Sequence, residues 1–131
     1  FGGRFGALAL ILALASIAAT TPLTTAQTLQ WDRLWGGASS DVAWGVAVSP
    51  DGNHVYIAGY AHSFGAGNGD AFLAKYTSAG SIVWDELWGG TGYDYEHSIV
   101  ASPGGDSVYI AGGTWSFGAG YNDAFLARYG A

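Results

Sequence analysis

The chain has 131 residues, a length that suits one domain or part of a larger one. Half of them are apolar, 11% are charged and 22 are glycine, which excludes a disordered tail and favours short strands joined by tight turns. A net charge of −6 with only four Lys and Arg excludes a phosphate-binding surface for nucleic acid, and the lack of cysteine excludes disulfides and thiolate metal sites.

Residues 1–26 read as an export segment. Arg4 precedes an unbroken apolar stretch from Ala7 to Ala19. That is the length of a signal-peptide core and short of the roughly 20 residues that span a bilayer. Pro22 ends the stretch, and Thr24-Thr25-Ala26 supplies the small residues of a cleavage site. The expectation is a hydrophobic helix acting as a signal peptide, with a retained membrane anchor as the alternative. A pilin-like helix is disfavoured because no early acidic residue is present. Cleavage after Ala26 removes Arg4 and leaves an exported part, 27–131, that is still more acidic. The expected location is extracellular or at the cell surface.

From Trp31 onward the chain is duplicated. Aligning Trp31 with Trp84 matches the two halves without a gap, with about 26 identities in about 48 positions. WDxLWGG runs from Trp31 to Gly37 and from Trp84 to Gly90. Asp41 matches Asp94, and Ser49-Pro50 matches Ser102-Pro103. VYIAG spans Val55 to Gly59 and Val108 to Gly112; SFGAG spans Ser63 to Gly67 and Ser116 to Gly120. DAFLA, a basic residue and Tyr close each copy, at Asp70 to Tyr76 and Asp123 to Tyr129.

Each copy holds four strand-like runs. Val42 to Val48 comes first and ends at Ser49-Pro50-Asp51-Gly52, a hairpin turn sequence. Val55 to Tyr60 is apolar on both faces, as befits a strand covered on both sides. Ala71 to Tyr76 follows, and then Ile82 to Leu87 after Thr77-Ser78-Ala79-Gly80. Four short antiparallel strands in about 50 residues make one propeller blade. The exported part also opens on a fourth-type strand, Leu29 to Leu34, and stops after a third-type strand at Tyr129.

The expected fold is therefore all-β. It consists of two four-stranded antiparallel blades, about 31–83 and 84–131, preceded by the N-terminal hydrophobic helix. A closed ring takes about four to eight blades. The two blades are then part of a larger β-propeller, either within a longer chain or in a homo-oligomer, and their partners are other blades of the same kind.

Together the WGG, SPDGNxVYIAGY and DAFLAKY elements resemble the bacterial and archaeal beta-propeller repeat family often labelled SBBP. The resemblance covers residues 31–131. It implies tandem propeller repeats on an exported or cell-surface protein, and it implies fold and location more strongly than activity.

Trp31, Trp35, Trp84 and Trp88 recur at one blade position, which points to packing between blades. Trp44, Trp115, Tyr93, Tyr95 and Tyr121 each occur in one copy only. The blade does not demand them, and they are the ligand-binding candidates. Asp41, Asp94, Asp70 and Asp123 read as caps of loop N–H groups. Asp70 and Asp123 are also weak calcium candidates, since carboxylates beside glycine-rich loops suit that ion. No cofactor is expected. His54, His62 and His97 are scattered and lack zinc-site spacing, and Glu96 and His97 are adjacent on a strand, so they point to opposite faces. The function expected is a structural or protein-interaction module without catalysis, meeting a surface protein or glycan. The competing reading is a lectin-like propeller assembled from two-blade subunits.

Overall fold

The structure is a computed structural model that describes residues 26–131. The expected export helix lies outside them, Ala26 excepted. Seven strands follow one another: β1 (Asp41–Val48), β2 (His54–Ala61), β3 (Asp70–Thr77), β4 (Ile82–Trp88), β5 (Asp94–Ala101), β6 (Ser107–Thr114) and β7 (Asp123–Gly130). They form two antiparallel sheets, ordered β1-β2-β3-β4 and β5-β6-β7. The described residues contain no helix. The four expected strand types all appear, each within a residue or so of its expected bounds.

Local chemistry explains the hairpins. In the β1–β2 turn the Gly52 N–H donates to Ser49 O at 2.8 Å, and Gly52 takes φ 72°. Asp51 Oδ1 accepts the Asn53 N–H at 3.0 Å and the Ser49 hydroxyl at 2.5 Å. These bonds close an Asx-type turn and set the register. Both first strands carry a bulge, between Ala43 and Gly45 in β1 and between Glu96 and Ser98 in β5. The bulge pushes the Val42 carbonyl toward Gly59 on β2, where a Cβ would have no room.

The sheets stack face to face. Tyr56, Ala58 and Leu73 of the first sheet are buried against Val108 and Ile110 of the second, with Trp84, Ile99, Phe125, Ala127 and Tyr129 around them. A second cluster forms on the other face of the first sheet, where Phe72, Ala74, Ala61 and Tyr76 gather beside Trp35 and Ile57. Trp35 lies flat on Phe72, with ring centroids 4.0 Å apart, and Trp88 lies flat on Phe125 at 4.1 Å. Of the recurring tryptophans, Trp35, Trp84 and Trp88 pack against the sheets, while Trp31 stays exposed.

The expected strand at Leu29 to Leu34 does not form: these residues belong to no sheet. In the first sheet β3 is already paired with β2 on one edge and β4 on the other, so no edge of β3 is open to them. The segment instead lies along the β3–β4 turn. The Trp31 indole N–H donates to Ser78 O at 3.1 Å, and Arg33 Nε donates to Gly80 O at 2.6 Å. The expected eight strands are seven among the described residues, and the second sheet lacks a fourth.

Candidate functional site

Each first strand opens on an aspartate that clamps two loops. Asp41 Oδ2 accepts the Gly37 N–H at 2.8 Å and the Ser63 hydroxyl at 2.5 Å; Oδ1 accepts the His62 and Ser63 N–H groups, both at 3.1 Å. Burial pushes this carboxyl up, yet the Ser63 hydroxyl and the three N–H groups together hold it below the usual range. Asp94 repeats the arrangement with the Gly90 N–H at 2.8 Å and the hydroxyls of Ser116 and Thr114. The WGG turn and the SFGAG loop are thereby tied together in both copies.

The second pair of aspartates sits at the far end of the same loops. Asp123 Oδ2 accepts the Ala119 N–H at 3.0 Å. Asp70 is buried, and its Oδ2 has no hydrogen-bond partner. Burial raises its carboxyl, the nearby Asp94 charge adds to this, and the Ala66 N–H offsets it in part without hydrogen-bonding Oδ2. Asp70 and Asp123 occupy different sheets and do not meet. Among the described residues no three His, Cys, Asp or Glu side chains converge at metal-ligand spacing.

Between the two sheets lies a cleft of about 250 Å³ lined by Trp44, Tyr60, His62, Gly69, Tyr93, Asp94 and Tyr95. Its floor is backbone: the Asp94 N–H donates to Gly69 O at 2.9 Å, and Gly69 and Tyr93 form a parallel bridge. Its walls are aromatic. Trp44 on β1 meets Tyr60 on β2 edge-to-face at 5.0 Å, Tyr60 meets His62 at 5.2 Å, and His62 meets Tyr93 at 5.8 Å. The His97 ring stacks on Trp44 at 5.0 Å, 9° from parallel, and Tyr95 meets His97 edge-on. Asn122 Nδ2 donates to the Tyr95 hydroxyl at 2.6 Å. Trp44 and Tyr93 stay half exposed.

Three of the five candidate ligand residues, Trp44, Tyr93 and Tyr95, are therefore brought together. Trp115 and Tyr121 are not among them. They meet each other edge-to-face at 6.5 Å in the exposed loop between β6 and β7, where Tyr121 takes a left-handed φ of 58°. Tyr60 belongs to the cleft without having been singled out. Its counterpart is Gly113, so the test that selected Trp44, an aromatic present in one copy only, selects Tyr60 as well. His62 joins the same wall.

Glu96 is the other unusual group. It is fully buried beside Gly45 and Ile99, and neither carboxylate oxygen has a hydrogen-bond partner. Burial pushes its carboxyl up to about 7. His97, the next residue, is exposed on the Trp44 side. Both side chains meet β1, Glu96 beside Gly45 and His97 on Trp44, and His97 is the residue that the β5 bulge leaves unpaired, where alternation along the strand lapses.

No family model and no curated protein matches this chain.

Proposed function

We propose that the chain is an exported β-propeller-type repeat module, of the kind the SBBP-like motifs imply, that acts through assembly and contact with other surface molecules and has no reaction of its own. One comparison carries this reading. Leu73 and Leu126 are equivalent residues, yet Leu73 is 1% exposed under the second sheet and Leu126 is 74% exposed. The second sheet thus presents, uncovered, the same face that it covers on the first.

The opposite end supports the same arrangement. Val46 and Val48 of β1 are exposed, while Ile99, the counterpart of Val46, packs into the core between the sheets. One open face matches the covered face of the internal interface, and the other matches its covering face. Head-to-tail stacking of such units repeats an interface already present. The free edge of β7 suits the segment 29–34, the counterpart of β4, and pairing there would close a ring. Catalysis is not assigned, because Glu96 is fully buried and its carboxylate is out of reach of a substrate atom.

Light scattering on the chain tests the reading. The expected result is an assembly, most simply a trimer with about six blades, that falls apart in Leu126→Glu. A stable monomer that leaves Leu126 in solvent would sink it.

A further inference from the structure

The geometry points to the inter-sheet cleft as a binding site for a single neutral pyranose ring, with Trp44 and Tyr93 as its stacking platforms. The cleft excludes other ligand classes in turn. No Lys or Arg lines it, so nothing there neutralises a phosphate, sulfate or carboxylate. Asp94 lines it, but that carboxylate is already engaged by Gly90, Thr114 and Ser116 and offers no free anion to an organic cation. What remains is flat apolar surface edged by polar tips. Trp44 and Tyr93 are each 50% exposed; His97 covers one face of the Trp44 ring, so stacking there uses the other. The hydroxyl of Tyr60 and the imidazole of His62 supply donors and acceptors around them.

A pyranose has this same division, with apolar C–H faces and hydroxyls around its rim. At about 250 Å³ the cleft lies below the roughly 300–1,000 Å³ of sites that enclose larger ligands, so it fits one ring. The wall is also unique to this junction. Trp44, Tyr60 and Tyr93 correspond to His97, Gly113 and Ser40, so the repeat itself does not require a tryptophan or tyrosine at any of these positions. The site needs only contact between the two sheets of one chain. A monomer that binds would therefore sink the assembly reading alone, and an assembly that does not bind would sink the site alone.

The test is saturation-transfer NMR on the 131-residue chain with methyl β-D-glucopyranoside, methyl β-D-galactopyranoside and methyl α-D-mannopyranoside, beside tetramethylammonium. Transfer to the ring C–H protons of at least one pyranoside is expected, with none to tetramethylammonium. Trp44→His and Tyr93→Ser install the residues found at the matching positions of the other copy. Each should weaken binding about tenfold, the worth of one aromatic contact, at an unchanged unfolding midpoint. If Trp44→His lowers the midpoint, Tyr93→Ser decides, since Tyr93 precedes β5 with its ring half in solvent. Silence from all three pyranosides, transfer to tetramethylammonium instead, or full binding in Tyr93→Ser would each overturn the assignment.

Discussion

Trp88 closes β4 of the first sheet, yet its ring lies flat against Phe125 of the second sheet, with centroids 4.1 Å apart and planes 21° from parallel. Trp35 does the same to Phe72 at 4.0 Å and 10°. Each WGG tryptophan thus covers the phenylalanine of the sheet that follows it in the chain. Truncating one removes a large stacked ring from a junction between units. Trp88→Ala should cost about 2–4 kcal/mol in urea unfolding, somewhat below a fully buried tryptophan because Trp88 is only partly covered. Trp88→Phe should recover much of the loss, because a smaller ring can still stack on Phe125.

Asp94 and Asp41 make the same clamp in different surroundings, and that difference sets a second expectation. Asp94 is 1% exposed, while Asp41 is half-buried. Removing a buried acceptor leaves the Gly90 N–H and two hydroxyls without partners, whereas at Asp41 water replaces the carboxylate more readily. Asp94→Ala should cost about 3 kcal/mol and Asp41→Ala about 1 kcal/mol. Amide exchange at Gly90 should quicken in Asp94→Ala, which unfolding curves alone would not reveal.

The bulges give the glycines opposite them a steric role. A Cβ at Gly59 would run into the Val42 carbonyl and Ala43 Cα, both of them backbone. At Gly52 nothing stands within 4 Å, and only φ 72° opposes a side chain. Gly59→Ala should therefore cost about 3 kcal/mol or more, or prevent folding, while Gly52→Ala costs about 1 kcal/mol. Equal melting temperatures for the two variants would contradict the bulge as the cause.

Much of this architecture is legible in the residues because duplication repeats each signal. The Ser-Pro-x-Gly turn, the apolar VYIAG strand and the WGG tryptophans appear twice, and pattern and position agree each time. Leu29 to Leu34 misled for a physical reason. Its sequence matches β4, but the open edge that such a strand would fill lies on β7 of the second sheet, while Trp31 and Arg33 hold the segment at the β3–β4 turn of the first. The cleft was half legible. Counting aromatics present in one copy finds Trp44, Tyr93 and Tyr95, but it also finds Trp115 and Tyr121. Separating the groups requires knowing that the loop ending at Gly69 bridges to Tyr93. Glu96 gave no signal at all, because its counterpart is Ala43 and its burial arises only when the second sheet docks beside Gly45.

That burial makes the last expectation, which concerns pH. Glu96 sits with both oxygens unpartnered, and burial raises its carboxyl from 4.5 to about 7. A raised pKa in the folded state means that the fold favours the protonated form. The contribution is fully present below pH 4.5 and is lost as pH rises through about 7. In that window stability should fall by up to about 1.4 kcal/mol per pH unit, a few kcal/mol altogether. Asp51 works with the opposite sign. The Ser49 hydroxyl and the Asn53 N–H groups hold it down at about 2, so its contribution is present above pH 3.8 and lost as pH drops toward 2. The two windows do not overlap, and Glu96→Gln separates them further. The amide keeps the shape without a titrating proton, so between pH 4.5 and 7 the urea midpoints of the variant should fall less steeply than those of the parent chain, with buried Asp70 supplying slope that remains in both. Parallel profiles for the two proteins would show that Glu96 is ionised in the folded state and has found a partner or water.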